Sequence, residues 1–159
     1  MSEPQAQPFD TRAGFDEQFA ACLAGSFVTF NLFDPDFAVF PLGRSDIDAA
    51  LRRFLSGGGM LQVAMHSTAH VERHYPRFLR LLRDYSHQVE CRVTHRALHN
   101  LTDSFCIGDG VNMVRRFHSD HLRGEAVYGN PDATEVQRQR FSAIWAEAEP
   151  GLFPTTTGL

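Results

Sequence analysis

Residues Leu101 to Gly110 read "LTDSFCIGDG", an apolar run that ends in Asp109-Gly110. An Asp-Gly pair favours the two-residue turn that joins neighbouring antiparallel strands. Because "VNMVRRFH" continues with a second apolar-rich run up to His118, we predict a β-hairpin around Asp109-Gly110.

The chain on either side of this hairpin alternates between helical and strand patterns. In the first half of the chain we predict a helix over Phe15–Leu23 stopped by Gly25, a strand over 26–33, a strand over Phe37–Leu42 that pairs with it as a hairpin, and a helix from Ser45 to the glycines at 57–59. A buried strand over Met60–Met65 follows, then a turn or short helix up to His74, a helix from Pro76 to Tyr85 and a strand over Gln88–His95. The last predicted element is a helix over 131–149 that carries Phe141 and Trp145. This alternation predicts a three-layer α/β sandwich with a mixed β-sheet.

The length and apolar content of the chain indicate one domain with a substantial core. The sequence has 159 residues, of which 43% are hydrophobic, and this supports one compact unit rather than two. We place the domain at 13–150, after a flexible polar tail at 1–12 and before a C-terminal tail at 151–159.

Composition excludes several classes of function. All 15 basic residues are arginine, which excludes a Walker phosphate loop and a Schiff-base enzyme because both need a lysine amine. The net charge of −4 makes nucleic acid an unfavourable partner, and no signal peptide or membrane-length apolar run is present. We therefore expect a soluble cytoplasmic protein without a cofactor, with Cys22, Cys91 and Cys106 as buried free thiols.

The order of predicted elements, the Asp109-Gly110 turn and the F-x-x-x-W pattern of Phe141 and Trp145 together resemble one module of the phospholipase D superfamily, over about residues 20 to 148. That family carries an H-x-K-x4-D motif. With its Asp-Gly set on Asp109-Gly110, Thr102 occupies the histidine position and Ser104 the lysine position. The family's reaction needs an imidazole nucleophile and a cation for the phosphoryl oxygens. The resemblance therefore implies a degenerate, non-catalytic binding or regulatory domain of bacterial type.

Basic residues concentrate in "VRRFHSDHLRG", Val114 to Gly124, just after the hairpin. Arginine forks match the oxygens of phosphate and carboxylate groups. We predict a vestigial pocket that recognises a phosphate-containing or other anionic small molecule, or a protein partner, and that is formed by Thr102, Ser104, Asp109, Arg115, Arg116, His118 and Arg123. The alternative is a solvated surface whose arginines are paired with acids of the same chain.

Two further interpretations stay open. His66, His70 and His74 recur every four residues, so one continuous helix would set all three on one face, as the ligands of a metal-dependent hydrolase; Pro76 argues for a break nearby. The domain could instead pair with a second copy as a homodimer, and an exposed apolar edge would support this interpretation.

Overall fold

The computed structural model describes residues 6–153, which form an eight-stranded sheet with helices on both faces. The strands are β1 (Gln7–Phe9), β2 (Thr29–Phe33), β3 (Met60–Met65), β4 (Val89–Val93), β5 (Ser104–Gly108), β6 (Asn112–Arg116), β7 (Gly124–Val127) and β8 (Glu149–Pro150). The helices are α1 (Arg12–Ala24), α2 (Ser45–Ser56), α3 (Ala69–His74), α4 (Pro76–Asp84) and α5 (Pro131–Glu147), with a short 3-10 helix at Arg96–Leu98.

The sheet is mixed, with strand order β1-β7-β6-β5-β2-β3-β4-β8. Strands β2, β3 and β4 are parallel, whereas every other neighbouring pair is antiparallel. The carboxyl ends of β2, β3 and β4 therefore meet at one edge, which we call the carboxyl edge. The start of β5 and the end of β6 lie at this same edge, because Phe33 pairs with Phe105 and Ser104 pairs with Arg116. The opposite edge is called the amino edge.

Two apolar layers hold the helices to the sheet. Helices α1, α2 and α4 bury their apolar faces in a large cluster on one face, rich in phenylalanine, that includes Phe15, Phe19, Phe30 and Phe40. Helix α5 packs Phe141 and Ile144 on the other face against a smaller cluster. The structure thus confirms the predicted three-layer α/β architecture. The three cysteines are buried and free, as expected.

The predicted strand over Phe37–Leu42 is wrong. Strand β2 already pairs with β3 on one side and β5 on the other, so no edge is left for a hairpin partner. The segment instead folds as a loop in which Phe37 has a φ of 61° and the Tyr75 hydroxyl donates to the carbonyls of Phe37 (2.7 Å) and Phe40 (3.0 Å). Its apolar residues supply core contacts rather than a sheet face.

Two short segments of the predicted tails, at residues 7–9 and 151–153, pack onto the domain. Residues 7–9, predicted as part of a flexible tail, pair with β7 as an edge strand because Phe9 packs against Phe15. Strand β7 itself was not predicted; its Gly124 is required because a Cβ there would lie 2.0 Å from the Arg115 carbonyl oxygen. Of the predicted C-terminal tail, Leu152 is buried, and residues 154–159 lie outside the described range. Within residues 6–153, no helix is long and apolar enough to cross a bilayer.

Candidate functional site

Polar side chains gather where the parallel strands end. Asp34, His66 and Thr94 directly follow β2, β3 and β4, and Ser104 and Arg116 lie beside them on β5 and β6. We call these five residues the carboxyl-edge cluster. All are buried except His66, which is half-buried. Buried polar groups on one sheet edge must satisfy one another, since water does not reach them.

Arg116 is the centre of this cluster, and its guanidinium is engaged on every nitrogen. Nε donates to the Ser104 hydroxyl (3.1 Å), Nη2 to Oδ1 of Asp34 (2.8 Å), and Nη1 to the carbonyls of Ser119 (2.7 Å) and His121 (3.1 Å). The side chains of Arg116 and Asp34 are only 2% and 1% exposed. The cation at the position of the predicted phosphate pocket is therefore sealed inside a buried ion pair.

Asp34 balances this charge and also organises the loop after β2. Its Oδ2 accepts the backbone N–H groups of Asp36 (3.0 Å) and Phe37 (2.6 Å). Burial raises the pKa of the Asp34 carboxyl, while a hydrogen bond from Ser104 and the charge of Arg116 oppose that rise. Because Ser104 is tied to both members of the pair, its hydroxyl is a structural bridge rather than a free nucleophile.

His66 is held as a neutral imidazole of defined tautomer. Its Nε2 lies 2.9 Å from the Leu101 carbonyl oxygen, which can only accept, so this nitrogen carries the proton. Nδ1 then accepts the hydrogen of the Thr94 hydroxyl at 2.6 Å. Burial lowers the pKa of His66. With its lone pair occupied, the ring is not positioned as a nucleophile.

The depressed pKa of His66 predicts a pH-dependent contribution to stability. The unfolded chain protonates this histidine near pH 6.5, whereas the folded chain does so only at lower pH. The contribution is therefore complete above the unfolded pKa and is lost as pH falls through the folded pKa. We expect His66→Gln to lose less stability than the wild type between about pH 7.5 and about pH 5.5 in urea denaturation, with the exposed His121→Gln as control. If the free energy of unfolding changed equally with pH in the wild type and in His66→Gln, this assignment would be contradicted.

A small pocket opens beside the cluster at the same edge. It has a volume of about 100 Å³ and is lined by Thr102, Asp103, Ser104, Phe105, Arg115, Arg116, Phe117 and Gln137. Arg115 is partly exposed, donates to Oε1 of Glu125 at 2.9 Å and lies over the ring of Phe117 at 4.9 Å. Four of the residues predicted from sequence, at positions 102, 104, 115 and 116, thus line one pocket.

The other predicted pocket residues lie elsewhere. Asp109 sits at the far end of β5, where its carboxylate accepts the backbone N–H groups of residues 27, 28 and 29. His118 belongs to the β6–β7 loop, and its Nδ1 accepts the N–H of Asp120 at 3.0 Å. Arg123 lines a separate pocket of about 420 Å³ next to Pro8 and Phe9.

The proposed histidine face does not form. Strand β3 continues to Met65 and α3 begins only at Ala69, so His66 lies outside the helix that carries His70 and His74. The rings of His70 and His74 are 4.4 Å apart, whereas His66 contacts His99 at 4.9 Å. Within the described part of the chain, no three His, Cys, Asp or Glu side chains lie close enough to hold a metal ion.

Sequence inspection missed Asp34 and Thr94. Asp34 was assigned to the "DPD" turn and Thr94 to the body of a strand. The signal that would have found both is a polar residue immediately after each buried parallel strand, because those positions converge at one edge.

The fold resembles solved structures at low sequence identity. An archaeal chromatin protein, TrmBL2, whose structure is described as showing a novel mode of DNA binding, aligns with a TM-score of 0.69 and 10% identity over 94% of this chain. The phospholipase D family member Nuc from Salmonella typhimurium aligns at 0.67 and 12% identity over 94% of this chain and 99% of its own. NucT from Helicobacter pylori aligns at 0.62 and 8% identity, over 94% and 100%. This chain spans only 55% of TrmBL2.

A search of curated proteins returns no match. The model of the family DUF7931, described as a domain of unknown function, matches residues 17–152. The mixed sheet and the similarity to Nuc and NucT show that the chain has a phospholipase D-like fold. The family match over residues 17–152 shows that it belongs to the DUF7931 family.

Proposed function

We propose that this chain is a non-catalytic phospholipase D-like module that binds an anionic group in the pocket at its carboxyl edge and acts as a binding or regulatory domain. The observation that carries the proposal is the buried ion pair of Arg116 with Asp34, bridged by Ser104. The pair supports the proposal because the cation beside Ser104 is already engaged by Asp34 and is not free to face a substrate.

The residues around the pocket offer no activated nucleophile. Thr102, which the resemblance aligns with the family's histidine, is exposed, but a neutral hydroxyl needs an adjacent base to attack phosphorus. His66, the histidine of the carboxyl-edge cluster, has both ring nitrogens engaged with Thr94 and Leu101. Its lone pair is therefore unavailable to serve as that base.

The same pocket retains features that suit an anion. Arg115 keeps one guanidinium nitrogen outside its contacts with Glu125, and Thr102 and Gln137 add neutral hydrogen-bonding groups. A volume of about 100 Å³ has room for roughly three water molecules, which suits a small oxyanion such as a phosphate group. Glu125 competes for the same arginine, so binding is expected to be weak until that acid is removed.

The binding proposal is tested with inorganic phosphate as the probe, by calorimetry and thermal shift. We expect Arg115→Gln to weaken phosphate binding roughly tenfold or more, since a charge-assisted contact is lost. Glu125→Gln should strengthen it by freeing Arg115. The control is Arg80→Gln, an exposed arginine on α4. A short oligonucleotide is the second probe, because one structural neighbour is a DNA-binding protein.

Two results would overturn the anion assignment. One is phosphate binding that Arg115→Gln leaves unchanged, and the other is the absence of phosphate binding even in Glu125→Gln. In either case, a surface whose arginines only pair with acids of the same chain would be the better account.

Catalysis is tested separately with bis(p-nitrophenyl) phosphate, with and without added zinc. We expect no hydrolysis above the buffer rate in either condition. Metal-independent hydrolysis that disappears in His66→Ala would contradict the non-catalytic assignment. Zinc-dependent hydrolysis that disappears in His70→Ala and His74→Ala would instead establish the metal-dependent hydrolase.

A further inference from the structure

The amino edge of the sheet carries three exposed apolar residues, at the end of the strands opposite the anion pocket. Phe27, Val28 and Met60 are 70%, 64% and 47% exposed. Phe27 precedes Val28 in the sequence, and a backbone hydrogen bond of 2.9 Å places Val28 beside Met60. The three residues therefore lie next to one another at this edge, and we call them the amino-edge ridge. Exposed apolar clusters of this kind mark interaction surfaces.

The ridge is held rigidly by the core of the domain. The Asp109 carboxylate accepts the N–H groups of Phe27 (3.0 Å), Val28 (2.7 Å) and Thr29 (3.0 Å). The apolar side chains are therefore displayed by a fixed backbone rather than by a loose loop. A preorganised surface loses little conformational entropy on binding, which favours association.

A depression flanks the ridge on each face of the sheet, and the two carry opposite charges. On the α2 face, a hollow of about 100 Å³ is lined by Leu23, Phe27, Phe54 and Arg53, among others. On the other face, a hollow of about 200 Å³ is lined by Met60, His87 and Glu90, among others. Within residues 6–153, Arg53 makes no ion pair. Glu90, whose side chain is 47% exposed, pairs with Arg92 at 2.7 Å.

We propose that the amino-edge ridge docks against the same ridge of a second copy of this chain, around a two-fold axis that lies in the plane of the sheet and perpendicular to the strands. Such an axis exchanges the two faces of the sheet. It therefore places the Arg53 hollow of each copy opposite the Glu90 hollow of the other, and each ridge enters its partner's hollows. The contact is isologous, so each favourable ion pair forms twice. The surface combines aromatic, methionine and arginine side chains, a composition typical of interfaces.

The proposal is tested on the full chain by sedimentation equilibrium over a range of concentrations. The ridge is small compared with a standard interface of about 800 Å² per partner, so we expect a reversible dimer with a Kd in the micromolar range. Phe27→Ser combined with Val28→Ser should weaken dimerisation roughly tenfold or more. The matched control is Val136→Ser, because Val136 is 67% exposed on α5, outside the ridge.

A charge exchange tests the geometry independently of apolar area. Arg53→Glu and Glu90→Arg should each weaken the dimer, and the double variant should restore it. A wild-type chain that stays monomeric at every concentration would overturn the proposal, and a different protein would then be the better candidate to bind the ridge. A dimer whose Kd is unchanged by Phe27→Ser combined with Val28→Ser would also overturn it. Because none of these residues lines the anion pocket, phosphate binding should be unchanged in all variants, which separates a failure here from a failure of the proposed function.

Discussion

Arg116→Ala is expected to lower the free energy of unfolding by about 3–5 kcal/mol, the cost of breaking a buried ion pair from one side. The change leaves the Asp34 carboxylate buried without its cation. It also removes the donors that satisfy the Ser119 and His121 carbonyls. For a domain of this size, Tm should fall on the order of 10 °C. Chemical denaturation followed by circular dichroism measures both quantities.

A double-mutant cycle separates the ion pair from general damage to the core. Asp34→Asn alone should also destabilise, because it leaves Arg116 buried and charged. Asp34→Asn with Arg116→Met removes both charges, while the asparagine side-chain oxygen can still accept the N–H groups of Asp36 and Phe37. The double variant should therefore cost less than the sum of the single changes. A loss below about 1 kcal/mol for Arg116→Ala, which is the range of a surface pair, would show that the pair is not sealed.

Asp109→Ala is expected to cost about 1.5–3 kcal/mol, the range of hydrogen bonds to a charged acceptor. The carboxylate accepts three consecutive N–H groups, at Phe27, Val28 and Thr29, and all three lose their partner together. Asp109 also has a φ of 53°, a conformation that asparagine and aspartate tolerate better than alanine.

Asp109→Asn is the informative companion variant. It keeps the backbone preference and one acceptor oxygen, so it should retain more stability than alanine in the same denaturation experiment. An Asp109→Ala variant as stable as the wild type would show that water satisfies these N–H groups equally well. Since the same contact fixes the amino-edge ridge, Asp109→Ala should also weaken the proposed dimer.

Ser104 and Asp109, at the two ends of the β5 hairpin strand, therefore have different roles. Ser104 belongs to the buried network of Arg116 and Asp34, whereas Asp109 anchors the backbone at the opposite end of the same strand. The role of Asp109 requires only its carboxylate and its turn conformation.

Local patterns were enough to locate most of the regular elements. The apolar run at Met60–Met65 is strand β3 with the same bounds, α2 ends at the glycines that follow Ser56, and the Asp109-Gly110 turn joins β5 to β6. Each depends on interactions within a few residues, namely side-chain periodicity, capping and turn preference. The same hairpin register brought Ser104 and Arg116 together, since the pairing of β5 with β6 follows from their shared turn.

Long-range pairing determined the rest. Phe37–Leu42 has the composition of a strand but folds as a loop because both sides of β2 are already paired. Strands β1 and β7 are too short to be recognised before they pair. Asp34 meets Arg116 across 82 residues of sequence, through the strand order β2-β5-β6. No local pattern encodes that order, because it results from burying both faces of one sheet. The burial of the Arg116–Asp34 ion pair, on which the proposed loss of catalysis depends, therefore arises from tertiary packing.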